Sequence, residues 1–179
     1  MAVIVAGITS LVQHVQHLKT QPDDYRPKRC PHCGVGGLWH HGCYTRKANR
    51  RGLTRDTDEP ILIPRFRCQP CRKTCSCLPE VIPPRRHYLW DSQELSLLLI
   101  IMGVSLNQIS LLFRPSRHTL RRWWKRHRSC FALQAFHLRS CFSSLGRLIG
   151  IRDFWLNCLQ QMPLSQAMLQ LHRCEVIVP

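Results

Sequence analysis

Two cysteine pairs constrain this chain more than any other feature. Cys30-Pro31-His32-Cys33-Gly34 and Cys68-Gln69-Pro70-Cys71-Arg72 are C-x-x-C knuckles with 34 residues between them. Two residues between thiolates let a tight turn aim both sulfurs at one point, and two such turns complete the four tetrahedral positions that structural zinc prefers. Cys30, Cys33, Cys68 and Cys71 are therefore the expected ligands of a structural Zn2+. A shell of four thiolates leaves no open position for water, so the ion would fold its surroundings without doing chemistry. Gly34 suits the first knuckle, because a residue without Cβ takes the positive φ that lets backbone N–H groups approach sulfur. Arg72 stands where the second knuckle would have a glycine. Metal-free redox cysteines and bound iron stay open as alternatives.

Further cysteines and histidines crowd the same region. Cys43, Cys75 and Cys77 are spare candidates, with His32, His40 and His41 nearby. The symmetrical spacing favours Cys71 over Cys75, and Cys75 and Cys77 are read as lying on alternating faces of a following strand.

The two knuckles sit in a strongly basic chain. Lys and Arg total 26 against 10 Asp plus Glu, a formal net charge of +16, and a polyanionic partner is the simplest cause. The apolar start, Met1 to Val12, has no basic residues ahead of it and passes directly into Gln13-His14-Val15-Gln16-His17, so no export signal is expected. The longest apolar run, Leu97 to Val104, falls far short of the roughly 20 residues of a membrane-spanning helix. The expected location is the cytoplasm, where thiols stay reduced and available to metal.

Periodicity divides the chain into an α+β arrangement, a small zinc-ribbon β module followed by an all-α helix-turn-helix module. Residues 1–28 read as a helical and connector segment, with Ile8, Leu11, Val12, Val15 and Leu18 at helix-like spacing. Residues 29–86 hold the ribbon, with strands expected at Leu38–Arg46 and Ile61–Arg67 and an exposed hairpin loop between Lys47 and Pro60. Pro83-Pro84 breaks the chain, and from Trp90 the period changes from two to about 3.6. Residues 90–128 form the helix-turn-helix and 129–179 a C-terminal helical segment. That last segment is expected to be core or lid for the helices, or a surface for a homodimer or a partner transposase. Cys130, Cys141, Cys158 and Cys174 read as small buried hydrophobes.

In the helical part, Asp91 with Glu94 and Ser105 with Gln108 each have capping-box spacing, and Gly103 closes the first helix. Pro115 stops the second helix and Ser116 caps the third, about Arg117 to Arg128. Leu120 and Trp124 fall on one face of it with Trp123 flanking. Arg117, His118, Arg121, Arg122 and Lys125 lie elsewhere and are the expected DNA-binding residues, since Arg can bond guanine bidentately and Arg or Lys can neutralise phosphates.

Gly103-Val104-Ser105, Ile109, Ser116, Thr119-Leu120 and Arg122-Trp123 resemble the helix-turn-helix of bacterial insertion-sequence transposases. Tyr25-Arg26-Pro27 before the first knuckle, Pro64-Arg65-Phe66-Arg67-Cys68, Cys71-Arg72-Lys73-Thr74 and Leu78-Pro79 resemble a transposase-associated zinc-ribbon family of bacterial mobile elements. The likeness spans about residues 25–128 and implies DNA binding. One departure is Cys75, where such ribbons often carry an aromatic.

No catalytic constellation is expected. The acids sit mostly in turns or helix starts, not on strands that could converge a DDE triad on two metals. His118-Thr119-Leu120-Arg121 matches the His-x-x-Arg of tyrosine recombinases, yet Tyr25, Tyr44 and Tyr88 all precede it. The leading expectation is a non-enzymatic, DNA-binding, transposase-related protein, either an accessory factor or an end-recognition part. The alternative is a zinc-ribbon adaptor for RNA or a protein partner.

Overall fold

A computed structural model of the chain describes residues 2–47, 60–84, 88–113 and 115–176. These form a four-stranded sheet and six α-helices, a mixed α+β chain. It divides into two compact units whose boundary in sequence falls at Leu89 and Trp90.

The first unit contains β1 (Ala2–Val5), α1 (Leu11–Thr20), a 3-10 turn at Pro22–Tyr25, β2 (Leu38–Lys47), β3 (Pro60–Cys68) and β4 (Thr74–Pro79). The strand order is β1-β4-β3-β2, antiparallel except for the parallel pair β1 and β4. Both expected strands lie inside β2 and β3. The expected Lys47–Pro60 loop falls mostly on residues 48–59, outside the described residues. The sequence pattern gives no strand at the start of the chain, but Ala2–Val5 pairs with Ser76–Pro79 and joins that segment to the sheet. The β-branched run Val3-Ile4-Val5 suits a pleated, half-buried edge.

One face of the sheet covers a cluster of Ile8, Tyr25, Leu38, Phe66, Cys75 and Cys77, and a second cluster gathers Ile61, Ile63, Leu78, Val81 and Ile82. Each large apolar side chain so buried contributes about 1.5–3 kcal/mol. α1 departs from its expected face. Its buried residue is His14, while Val12 and Val15 are exposed. Leu62 O can only accept, so His14 Nε2–H donates to it at 2.9 Å, which leaves Nδ1 to accept from the Tyr25 hydroxyl. With both ring nitrogens partnered, an imidazole can be buried where an unpaired polar group could not. Burial keeps it neutral by lowering its pKa, although the Leu62 carbonyl acts the other way.

The second unit contains α2 (Trp90–Ile101), α3 (Leu106–Leu112), α4 (Arg117–Cys141), α5 (Ile151–Gln161) and α6 (Leu164–Arg173). Gly103, at φ +89°, ends α2. Val104 N–H donates to Leu99 O and Gly103 N–H to Ile100 O, the paired bonds of a Schellman motif. Ser105 and Gln108 form the expected capping box on α3, and Ser116 accepts from Thr119 N–H at the start of α4. The Asp91–Glu94 box does not form. α2 begins at Trp90, so Asp91 already lies inside the helix, and Glu94 instead accepts from Leu164 N–H.

α4 does not stop near Arg128. Nothing between Arg117 and Cys141 is proline or glycine, and the helix runs through to a cap at Phe142. It buries Leu120, Trp123, His127, Gln134, Ala135 and Leu138 along one stripe, so Trp123 is the buried indole of the pair and Trp124 is only partly buried. Trp90, Leu97, Phe154, Trp155, Met168 and Leu171 complete the core, which makes α5 and α6 part of the helical unit's own interior. Of the four cysteines expected to be small buried hydrophobes there, only Cys158 is fully enclosed, while Cys141 and Cys174 are exposed on helix ends.

Candidate metal centre and basic helix

The register of β2 on β3 builds the cysteine site. Leu38, four residues past Gly34, lies opposite Cys68, so the knuckle ahead of β2 and the knuckle that ends β3 reach the same end of the sheet. The two knuckles close alike. Cys30 N–H donates to Val35 O at 2.8 Å, and Cys68 N–H donates to Lys73 O at 3.0 Å. Gly34 and Arg72, each just after the second cysteine of its knuckle, have φ of +73° and +59°. The arginine therefore adopts the left-handed conformation that a glycine would take there, at a cost of about 1–2 kcal/mol.

The four sulfur atoms all lie within 4.8 Å of one another. Cys30 Sγ is 3.7 Å from Cys71 Sγ, and Cys33 Sγ is 3.6 Å from Cys68 Sγ. A tetrahedron with metal–sulfur bonds of about 2.3 Å has edges of about 3.8 Å, so the separations suit one ion at the centre. Cys30, Cys33, Cys68 and Cys71 could thus hold a metal ion together. Among the described residues this is the one such group, and Cys43, Cys75, Cys77, His32, His40 and His41 are outside it.

The electrostatics of Cys30, Cys33 and Cys68 suit a site that could hold a cation. Burial opposes ionisation of Cys30, but the His32 and Cys33 backbone N–H groups and the Cys71 and Cys33 thiols outweigh it and bring its pKa down to about 7. His32 N–H lies 3.4 Å from the sulfur. Cys68 moves the opposite way, up to about 12. The Cys71 N–H favours its thiolate, yet burial and the three neighbouring thiols prevail. Cys33 is raised too, since the Val35 N–H is outweighed by burial and by the Cys71 and Cys30 thiols. Cys30 ionises readily while Cys33 and Cys68 resist, a conflict that a bound cation removes.

Cys75 and Cys77 do not lie on alternating faces. A strand has a period of two, so residues two apart share a face, and both are buried under the sheet. They interact with each other. The Cys77 thiol is the first cause lowering Cys75, and Cys75 together with burial pushes Cys77 far up, which leaves it an inert neutral thiol. Cys75 fills the place where such ribbons often carry an aromatic and packs beside Phe66.

Arg117, His118, Arg121, Arg122 and Lys125 are all exposed on α4, opposite the stripe of Leu120, Trp123 and His127. Arg117 also donates to Asn107 Oδ1 at 3.2 Å, which ties α4 to α3. The expected set ends at Lys125, but Arg128 continues the exposed row and Arg126 flanks it. No Asp or Glu occurs anywhere in α4.

Comparison with protein families returns one match, the Domain of unknown function (DUF6431), over residues 30–123. The chain belongs to this family. The matched stretch runs from the first knuckle cysteine to Trp123, so the family's shared sequence contains the whole cysteine site, α3 and the first turns of α4. No curated protein and no solved structure matches the chain. No helix among the described residues is long and apolar enough to cross a membrane.

Proposed function

We propose that the chain is a non-enzymatic, transposase-related DNA-binding protein of the cytoplasm, built as a zinc ribbon followed by a helix-turn-helix, with Zn2+ on Cys30, Cys33, Cys68 and Cys71. The observation that carries the DNA reading is α4, a helix capped by Ser116 whose exposed side presents Arg117, Arg121, Arg122, Lys125 and Arg128 with no acid among them. Its N-terminal turns follow α3 after a short connection, and Ile109 of α3 and Leu120 of α4 are both fully buried. A short helix, a tight turn and a basic second helix are what major-groove readers use. The zinc assignment rests on four sulfurs at tetrahedral spacing, for which zinc is the usual structural ion. The resemblance to insertion-sequence transposases runs through the same residues and favours an accessory or end-recognition part of a mobile element. A partner transposase or a second copy would then be the protein partner.

The test is a titration of duplex DNA at several salt concentrations with Arg121→Ala and Lys125→Ala together. Removing a side chain that neutralises one phosphate should lower the slope of log affinity against log salt by about 1, with weaker binding throughout. Arg117→Ala is informative only beside Asn107→Ala, because Arg117 also braces α3. Unchanged affinity and slope in the double variant would end the claim for α4. A clear preference for structured RNA over duplex in competition would favour the adaptor reading.

A further inference from the structure

One face of the sheet in the first unit, buried farther along at Ile61, Ile63 and Leu78, is exposed at its knuckle end and carries a second surface there, separate from α4. Cross-strand partners project to the same side of a sheet, and residues two apart along a strand do so as well. Trp39 on β2 lies opposite Arg67 on β3, Arg67 lies opposite Thr74 on β4, and Arg65 lies opposite Ser76. Trp39, Arg65, Arg67, Thr74 and Ser76 therefore share one face. Leu38, Phe66, Cys75 and Cys77 point the other way into the buried cluster.

Trp39 is 64 % exposed, the largest apolar side chain left open in this unit. A single exposed apolar side chain is ordinary, so its charged neighbours decide what could cover it. Arg67 is exposed beside it, Arg65 is half-exposed, and Arg72 and Lys73 stand exposed in the turn that leads from β3 into β4. β2, β3 and β4 contain no Asp or Glu. The described acids of this unit lie elsewhere: Asp23 is paired with Arg26, Asp24 is near His17, and Glu80 is buried, accepting from Gly7 N–H. These neighbours suit an anion with flat apolar surfaces. A duplex presents phosphates but keeps its base faces stacked inside, whereas an unpaired strand offers both to a sheet face with an aromatic on it.

We propose that this face binds an unpaired strand of nucleic acid, with a base stacked on Trp39 and phosphates held by Arg67 and Arg65. The surface lies wholly within the first unit and does not depend on the reading of α4. It would let one chain hold a duplex on its helices and a melted strand on its sheet.

The experiment compares the full-length chain with Trp39→Ala, Trp39→Phe, Arg67→Ala and the Arg121→Ala/Lys125→Ala double variant. Each is titrated with labelled oligothymidylate, oligouridylate and duplex DNA, with strands of about 15 nucleotides, near the upper site size of small sheet-based binders. Trp39→Ala should weaken binding of the single strands about tenfold or more, Trp39→Phe should retain most of it, and neither should change duplex affinity. The double variant on α4 should do the reverse. The stronger of the two single strands identifies the source as DNA or RNA. Single-strand affinity that is unchanged in Trp39→Ala, or absent in the wild type, overturns the proposal. Because Trp39 is exposed, retained secondary structure in circular dichroism should accompany each result.

Discussion

The carboxylate of Glu94, in the first turns of α2, accepts a hydrogen bond of 2.7 Å from the backbone N–H of Leu164, the first residue of α6. Pro163 precedes that helix and has no side chain able to cap it. Glu94 therefore does for α6 what a local Ser or Asp does for other helices, from seventy residues away in the chain. Burial and the nearby Asp91 both raise the Glu94 pKa, and the Leu164 N–H holds it down. Glu94→Ala should destabilise the helical unit by about 1–3 kcal/mol, the cost of leaving a buried donor unpaired. Glu94→Gln, which still offers an oxygen, should recover most of that. Denaturant unfolding of both variants checks it, and equal losses would show that the hydrogen bond is not the cause.

Four sulfurs placed to hold one ion allow a spectroscopic test of the cysteine centre. Co2+ added to the metal-stripped chain should bind at one per chain with the intense visible absorption of a tetrahedral thiolate site, and Zn2+ should displace it. Cys33→Ser should abolish that spectrum. Cys43→Ser should leave it intact, since Cys43 lies outside the cluster. Chelating the metal should lower the thermal stability of the first unit and loosen its knuckle end, while the β2–β3 ladder and the buried clusters still tie the strands together.

Acid should weaken the helical unit through His127. Its ring is buried, meets Trp155 edge-on at 5.4 Å between centroids, and is held at a pKa of about 4, first by burial and then by Arg126. An unfolded histidine titrates near 6.5, so between those values the unfolded state binds the extra proton. The stability from neutral His127 is present above about pH 6.5 and lost as pH falls toward 4, by on the order of 3 kcal/mol. His14 and His172 are shifted in the same direction. The contribution of His127 is therefore read as the difference between wild type and His127→Phe in thermal unfolding from pH 7 to 4.5. Parallel curves would show that His127 is not a source of the acid sensitivity.

α6 ends on a strained residue. Glu175 has φ +59°, Glu175 N–H donates to His172 O, and Val176 N–H donates to Leu171 O, a Schellman ending without its glycine. Glu175→Gly removes a left-handed penalty of about 1–2 kcal/mol and adds about 0.4–1 kcal/mol of unfolded-state entropy. The net expectation is a gain of about 0.5–1 kcal/mol in denaturant unfolding, with Glu175→Ala giving none.

Much of the site could be read directly because its information is local. A C-x-x-C pair aims two sulfurs whatever surrounds it, and Ser105 with Gln108, Ser116 and Gly103 act within one helical turn of where they stand. The exposed row on α4 follows from the same 3.6-residue period that buries Leu120 and Trp123. Arg72 shows the limit of residue-type reasoning: its position demanded a left-handed backbone, and the knuckle turn closed by the Cys68–Lys73 hydrogen bond holds it there despite the Cβ.

What the sequence alone determined was therefore the four clustered cysteines, the places of β2 and β3, the end of α2, the start of α3 and of α4, and the cationic side of α4. Each depends on neighbours within a few residues. Tertiary structure decided the parallel edge strand Ala2–Val5, whose partner β4 lies more than seventy residues away. It also decided which face of α1 turns inward. Hydropathy favoured Val12 and Val15, but His14 is buried because Tyr25 and Leu62 satisfy both of its nitrogens. Glu94 carries the same lesson, since its spacing from Asp91 suggested a cap on its own helix and the packing of α2 against α6 gave that carboxylate a distant N–H instead. A polar group goes where its hydrogen bonds can be completed, and that is settled only when the chain is folded.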